Sequence, residues 1–419
     1  MTPSLRYLLL ALCLTACDKR FSGAANGPYA SQVAEAVPEI EKAMGVKFKT
    51  PPRLEARSMA EVRAYLVKQF EESAAQKELA GNEALFKLLG LIPDTMHLKP
   101  FILDLLQEQV AGYYDPQTKV LYVVEGRGSD DMMINTTITH ELVHALQDQY
   151  MNLDSLQKAG DGYSDRQSAA QAVIEGQATY EQMSIMTQGN IAAAIPGGWD
   201  RVREMIRENQ TAMPRFSNAP MAIQESLLFP YLSGAEFMKR WHDKRPGQLP
   251  FGEMPTSTEQ VLHEKAFFDA PRDTPLGIVL PAATSKVLYE NEMGEFGTRL
   301  FLYQHLKNVN SSSLAAMGWG GDRIRVLDAK GGNSLAWVSG WDTPVDAAEF
   351  VDALGTVVTT RYGVAKADEA NGARVYRGST RTVSITQKVI DGKNVVLYVD
   401  VPAGSSTAIL DLSAVKVSR

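Results

Sequence analysis

Thiols are nearly absent from this chain. Its 419 residues include two cysteines, Cys13 and Cys17, so no disulfide can staple anything beyond the first segment. Long apolar runs are missing too. After the N-terminus nothing reaches the roughly 18 apolar residues that a spanning helix needs, which excludes a membrane span downstream. Basic clusters are lacking, and with a net charge of −7 the chain has no electrostatic footprint for nucleic acid. Histidine is sparse, with six in all, which makes the spacing of two of them informative. Apolar residues are plentiful: 45% hydrophobic content over this length can bury a sizeable core and points to two domains rather than one.

The cysteines fall in a targeting segment. Arg6 supplies a charged start, Tyr7 to Leu14 a short apolar stretch, and Leu14-Thr15-Ala16-Cys17 resembles the lipobox of bacterial lipoproteins. The resemblance implies that residues 1–16 are a cleaved signal peptide and that Cys17 is acylated. The membrane would then be a partner through that lipid, with the chain at the periplasmic or extracellular face of the cell envelope. An ordinary signal peptide with an accidental cysteine is the alternative. Residues 17–30, with Gly23, Asn26, Gly27 and Pro28, read as a tether. Cys13 leaves with the signal, so the lack of disulfides is compatible with export.

The stretch around which the chain is organised is Thr139-His140-Glu141-Leu142-Val143-His144-Ala145-Leu146-Gln147. Residues four apart share a helix face, so His140 and His144 can turn ring nitrogens toward one point, as a tetrahedral zinc ion requires. Glu141 lies beside that point, placed to take a proton from water activated by the metal. Two histidines and a glutamate at these offsets arise by accident in roughly one chain of this composition in two hundred. Ile138, Leu142, Ala145 and Leu146 give the helix an apolar side for packing, and Asn135, Thr136 and Thr137 form a capping region.

A catalytic zinc needs a third protein ligand and an open fourth position. The helical pattern from Ser168 to Met186 offers Glu175, after the apolar pair Val173-Ile174 and beside Gly176, whose missing side chain would admit a neighbouring backbone. Glu181, on another face of that helix, is the rival ligand. The combination of His140-Glu141-x-x-His144 with Glu175-Gly176-x-Ala178 resembles the gluzincins, the thermolysin-like zinc metallopeptidases. The match covers about fifty residues around the motif and the strand before it. The resemblance implies ligation by His140, His144 and Glu175, Glu141 as general base, a peptide or protein substrate, and a downstream Tyr or His against the oxyanion. Tyr231 and His263 are the nominees. The chain departs from the pattern at Thr179, where a carboxylate orienting the first histidine is expected; Asp148 is a weak substitute.

Other elements can be placed coarsely. Ser58 with Glu61 makes a capping box for a helix to about Ser73, and Val46 to Phe48 reads as a strand. Gly112 to Asp115 and Val120 to Val124 read as a hairpin, either an edge for an extended substrate or a structural ribbon. Pro230 interrupts the helix from Gln224 to Trp241 with a kink or restart. His97, His242 and His305 have no motif and read as surface or packing residues. Residues 31–280 form the expected mainly helical, zincin-like catalytic domain with a small sheet, and residues 281–419 a smaller α+β domain. The latter contains a helix over Thr284 to Leu306, strands at Arg323 to Leu327, Ser334 to Ser339, Arg374 to Arg377, Val383 to Ile390 and Val395 to Val401, and a closing helix over Ser405 to Val415. The expected function is a zinc peptidase, the alternative a non-catalytic envelope binding or assembly factor with a structural metal.

Overall fold

The computed structural model describes residues 29–126, 131–158, 162–191, 198–208, 213–364, 366–370 and 372–418. The signal, Cys17 and nearly all of the tether lie outside the described residues. Short-range signals start and stop the first elements. In chain order these are α1 (Ala30–Met44), β1 (Arg53–Arg57), α2 (Met59–Glu71), α3 (Ser73–Leu89) and α4 (Leu98–Gln109). The Ser58 capping box forms at the start of α2 as expected, and Gly90 closes α3 in a left-handed conformation that a residue with a Cβ resists. The hairpin β2 (Gly112–Asp115) and β3 (Val120–Val124) follows. β1 pairs parallel with β3, giving the order β1-β3-β2 with β2 at the edge. The expected strand at Val46 to Phe48 does not form. Val46 and Phe48 pack instead against the cluster of Ile40, Met44, Leu121 and Leu142, and the strand is β1, where only Leu54 and Ala56 signal an apolar face.

Then come α5 (Asp131–Tyr150), α6 (Leu153–Lys158), α7 (Ser164–Met186), α8 (Gly198–Glu208), α9 (Pro214–Ser217), α10 (Met221–Lys244), α11 (Thr258–Leu262) and α12 (Glu264–Phe268). α10 runs through Pro230 as one helix, so of the two alternatives the restart does not occur. No helix among the described residues is long and apolar enough to cross a membrane.

The remaining elements are β4 (Gly277–Val279), β5 (Val287–Asn291), α13 (Gly294–Leu306), α14 (Val309–Ala316), β6 (Trp319–Leu327), β7 (Ser334–Trp341), α15 (Pro344–Tyr362), β8 (Asp368–Ala370), β9 (Ala373–Arg377), β10 (Arg381–Ile390), β11 (Lys393–Pro402) and β12 (Lys416–Ser418). A seven-stranded antiparallel sheet runs in the order β5-β6-β7-β11-β10-β9-β8. Alternation along each strand explains why its middle is buried on both faces. Leu335, Trp337, Val396 and Tyr398 face α13 and α15, while Ala336, Val338, Val395 and Leu397 face β4 and β12. Two expected helices give way to this arrangement, the first only in its N-terminal part, because Gly294–Leu306 forms α13. Val287–Asn291 becomes the edge strand β5 because it pairs with β6. The closing segment keeps only a 3₁₀ turn at Leu412–Ala414 before β12, which pairs with β4.

The fold is α+β, helical in its first part and β-rich in its last. The two parts share a core. Leu85, Leu89 and Leu91, at and just beyond the end of α3, lie in one cluster with Phe301, Trp337 and Phe350, each fully buried aromatic contributing about 1.5–3 kcal/mol. The segment just before residue 281 also packs with the sheet, through Leu276, Ile278 and Leu280.

Candidate metal centre

Three helices and one strand edge build the site. Helical spacing sets His140 and His144 on one face of α5. Glu175 reaches them from α7, and the crossing of α7 with α10 depends on two glycines. A Cβ on Gly176 would stand 2.1 Å from the Gly234 carbonyl carbon, and one on Gly234 would stand 2.0 Å from the Ala172 carbonyl oxygen. Only glycine at both places permits that approach. It carries Tyr231, one turn before Gly234, to within 6.1 Å of the His140 ring centroid, with the rings 28° from parallel. On the other side Gly112 of β2 admits α5, since a Cβ there would meet Thr137 Cγ2 at 2.7 Å.

The ligand atoms form a nearly equilateral triangle. His140 Nε2 and His144 Nε2 are 3.2 Å apart, and Glu175 Oε2 lies 3.4 and 3.3 Å from them. The edge of a tetrahedron whose centre is 2.0–2.1 Å from its corners is about 3.3–3.4 Å, so the triangle has the dimensions of three vertices around a metal bonded to imidazole and carboxylate. Neither Glu175 oxygen accepts a hydrogen bond among the described residues, although both are buried. A carboxylate so desolvated calls for a cation.

Second partners decide which ring nitrogens carry protons. Gln147 donates its amide to the Ile174 carbonyl at 2.9 Å and to Gln177 Oε1 at 3.0 Å, which leaves its own Oε1 to accept from His144 Nδ1 at 2.8 Å. Gln182 donates to the Thr136 carbonyl at 3.0 Å and faces His140 Nδ1 through Oε1 at 3.3 Å. With protons on both Nδ1 atoms, both Nε2 lone pairs point at each other and at Glu175, an arrangement that repels itself until a proton or a metal sits between them. Burial works against charge on His144, but the Glu175 carboxylate outweighs it and holds the pKa up at about 9. Burial would likewise raise Glu175, yet the charge on His144 and the approach of both rings bring it down to about 2.

Sequence reasoning missed these two glutamines. Their signal was spacing: Gln147 is three residues after His144 and Gln182 seven after Glu175, each on its ligand's face. Asp148 does not orient a histidine. It accepts from the Tyr114 hydroxyl at 2.7 Å and pairs with Lys119 Nζ at 2.6 Å. Thr179 is buried, with no partner for its hydroxyl among the described residues. Glu181, the rival ligand, turns away to His242, 2.9 Å distant, whose ring stacks on Tyr180.

Glu141 belongs to the site. Its Oε2 accepts the Tyr114 backbone N–H at 2.8 Å. The ladder phase, set by Val124 N–H donating to the Ala111 carbonyl, turns that N–H to the outer edge of β2. Burial pushes the Glu141 carboxyl above the ordinary carboxylate range. Exposure shows where the site opens: Glu175, His144 and Glu141 are 0–2% exposed, whereas His140 and Tyr231 each keep 7%. His263 is held elsewhere. Its Nε2 lies 2.9 Å from Glu295 Oε1 and 3.0 Å from Arg299 Nη2, both on α13. His97 meets Glu83, and His305 Nε2 meets the Leu89 carbonyl.

Residues 285–411 match a family described as a domain of unknown function, DUF8575, a span that covers most of the sheet and its helices and none of the triad. No curated protein matches the chain, and no solved structure does.

Proposed function

We propose that the protein is a metal-dependent hydrolase of peptide bonds, with zinc held by His140, His144 and Glu175. The observation that carries the reading is the triangle of two imidazole nitrogens and one carboxylate oxygen with edges of 3.2–3.4 Å. Two imidazoles and one carboxylate suit zinc, and three protein ligands are the usual catalytic complement. Zinc supplies Lewis acidity, bringing the pKa of water toward neutrality and polarising a carbonyl. Glu141, fixed at Oε2 by the Tyr114 N–H, keeps Oε1 to receive the proton from the attacking water and pass it to the leaving amine. Tyr231, on the side where the site opens, is the donor that would meet the developing oxyanion. A peptide is favoured as substrate because β2 is an edge strand whose Tyr114 N–H meets Glu141, so an extended chain along that edge would run past the general base.

The LTAC sequence at Cys17 supports an envelope location through a lipid anchor. Loss of membrane association in Cys17→Ser tests it. A second reading, a structural metal in a non-catalytic assembly factor, draws on the near-complete burial of Glu175, His144 and Glu141. Glu141→Gln separates the two: we expect it to retain zinc and lose cleavage of a peptide library. Equal cleavage by variant and parent removes Glu141 from the mechanism, and no cleavage by the zinc-loaded parent favours the second reading.

A further inference from the structure

We propose that Glu259, Asp273 and Asp342 form a calcium site that ties the helical region to the sheet region, distinct from the centre at His140. One carboxylate oxygen from each lies within 4.8 Å of the others. Three points so spaced lie no more than about 2.8 Å from a common centre, which admits the 2.3–2.6 Å bonds and the irregular oxygen shell of calcium. All three donors are hard oxygens, which excludes the preference for nitrogen and sulfur that marks a zinc site.

Acidic clusters are common on protein surfaces, and a second observation sets this one apart. Glu259 is 5% exposed and its Oε2 is buried with no hydrogen-bond donor among the described residues. An ionised carboxylate with an oxygen so desolvated, and close to two further carboxylates, is strongly unfavourable unless a cation joins them or a proton neutralises it. Glu295 and Asp165, buried nearby, add to the negative field. Access is provided on the third side: Asp342 is exposed and Asp273 half-buried, so an ion can enter and water can complete its shell.

The three backbones are already held. Ser257 caps α11 by accepting the Gln260 N–H, which fixes Glu259 in its first turn. The Gln260 amide also donates to the Asp273 carbonyl, and the Asp273 N–H donates to Ala266 at 2.9 Å. Asp342 follows β7 directly, its N–H donating to Gly318 at 2.9 Å, and Thr343 then caps α15. An ion there would join α11 and the connector after α12 to the junction of β7 and α15.

The test uses the full chain, saturated with zinc and depleted of calcium. Calcium titration is expected to raise Tm progressively, and terbium is expected to give luminescence sensitised through Trp341, displaced by calcium but not by equal magnesium. Glu259→Gln and Asp342→Asn should each weaken calcium binding by about tenfold or more, while His144→Ala should leave it intact. No Tm shift and no terbium signal at millimolar calcium would overturn the site. So would variants that respond as the parent does, because Glu259 would then be a neutral buried acid and nothing more.

Discussion

Gly234→Ala tests how the metal centre is assembled. The new Cβ would lie 2.0 Å from the Ala172 carbonyl oxygen and 2.9 Å from the Gly176 Cα, and both atoms belong to helix backbone that cannot rotate aside. Restoring an ordinary contact of about 3.4 Å requires α7 and α10 to part by about 1.4 Å. Overpacking against so rigid a surface costs about 3 kcal/mol, and alanine's better helix propensity returns about 1 kcal/mol. The net loss of about 2 kcal/mol corresponds to a fall in Tm of about 4–8 °C on the scale of a large domain. Gly297→Ala in α13 is the control, since its nearest neighbour is Met293 Cε at 3.3 Å, the end of a flexible side chain. There the propensity gain prevails, and the change should be neutral or stabilising by up to about 1 kcal/mol. Thermal unfolding by circular dichroism reads both, and chelator competition reads zinc, whose affinity should fall in Gly234→Ala because α7 carries Glu175. Equal Tm values for the two variants, or parental zinc affinity in Gly234→Ala, would refute the reasoning.

Other outcomes follow from the site. Gln147→Leu removes the acceptor for His144 Nδ1 and should weaken zinc by about 10–100-fold; an unchanged dissociation constant would mean that the ring needs no such support. The pKa of His144, about 9 in the metal-free site, means that binding must expel a proton below that pH. Apparent zinc affinity should therefore rise by about tenfold per pH unit up to about 9 and level off above it, as titration calorimetry in buffers of different ionisation enthalpy can check. Tyr231→Phe should lower kcat by about 10²-fold, whereas His263→Ala should stay within a few-fold of the parent because its ring is engaged by Glu295 and Arg299. Equal losses in the two would contradict these positions.

Much of the first half was legible from local rules. Helical period put His140 and His144 on one face, and short-range capping marked the start of α2, because these signals depend on residues within a turn or two of each other. The same logic failed at Val287–Asn291. A stretch that reads as the start of a helix became β5, since β6 offers it a hydrogen-bonding edge. Residues 405–415 lost their helix because Leu412, Val415 and Val417 find a sheet face to cover.

By itself the sequence determined that two imidazoles and a carboxylate share one helix, since four residues of helix place them there whatever the rest of the chain does. Only the tertiary structure decided which distant groups complete the centre. It chose Glu175 over Glu181, brought Tyr231 near and left His263 with α13, and set Gln147 and Gln182 behind the rings. The physical reason is that these choices hang on the crossing of α7 with α10 through Gly176 and Gly234, a contact between residues 58 positions apart that no local periodicity encodes.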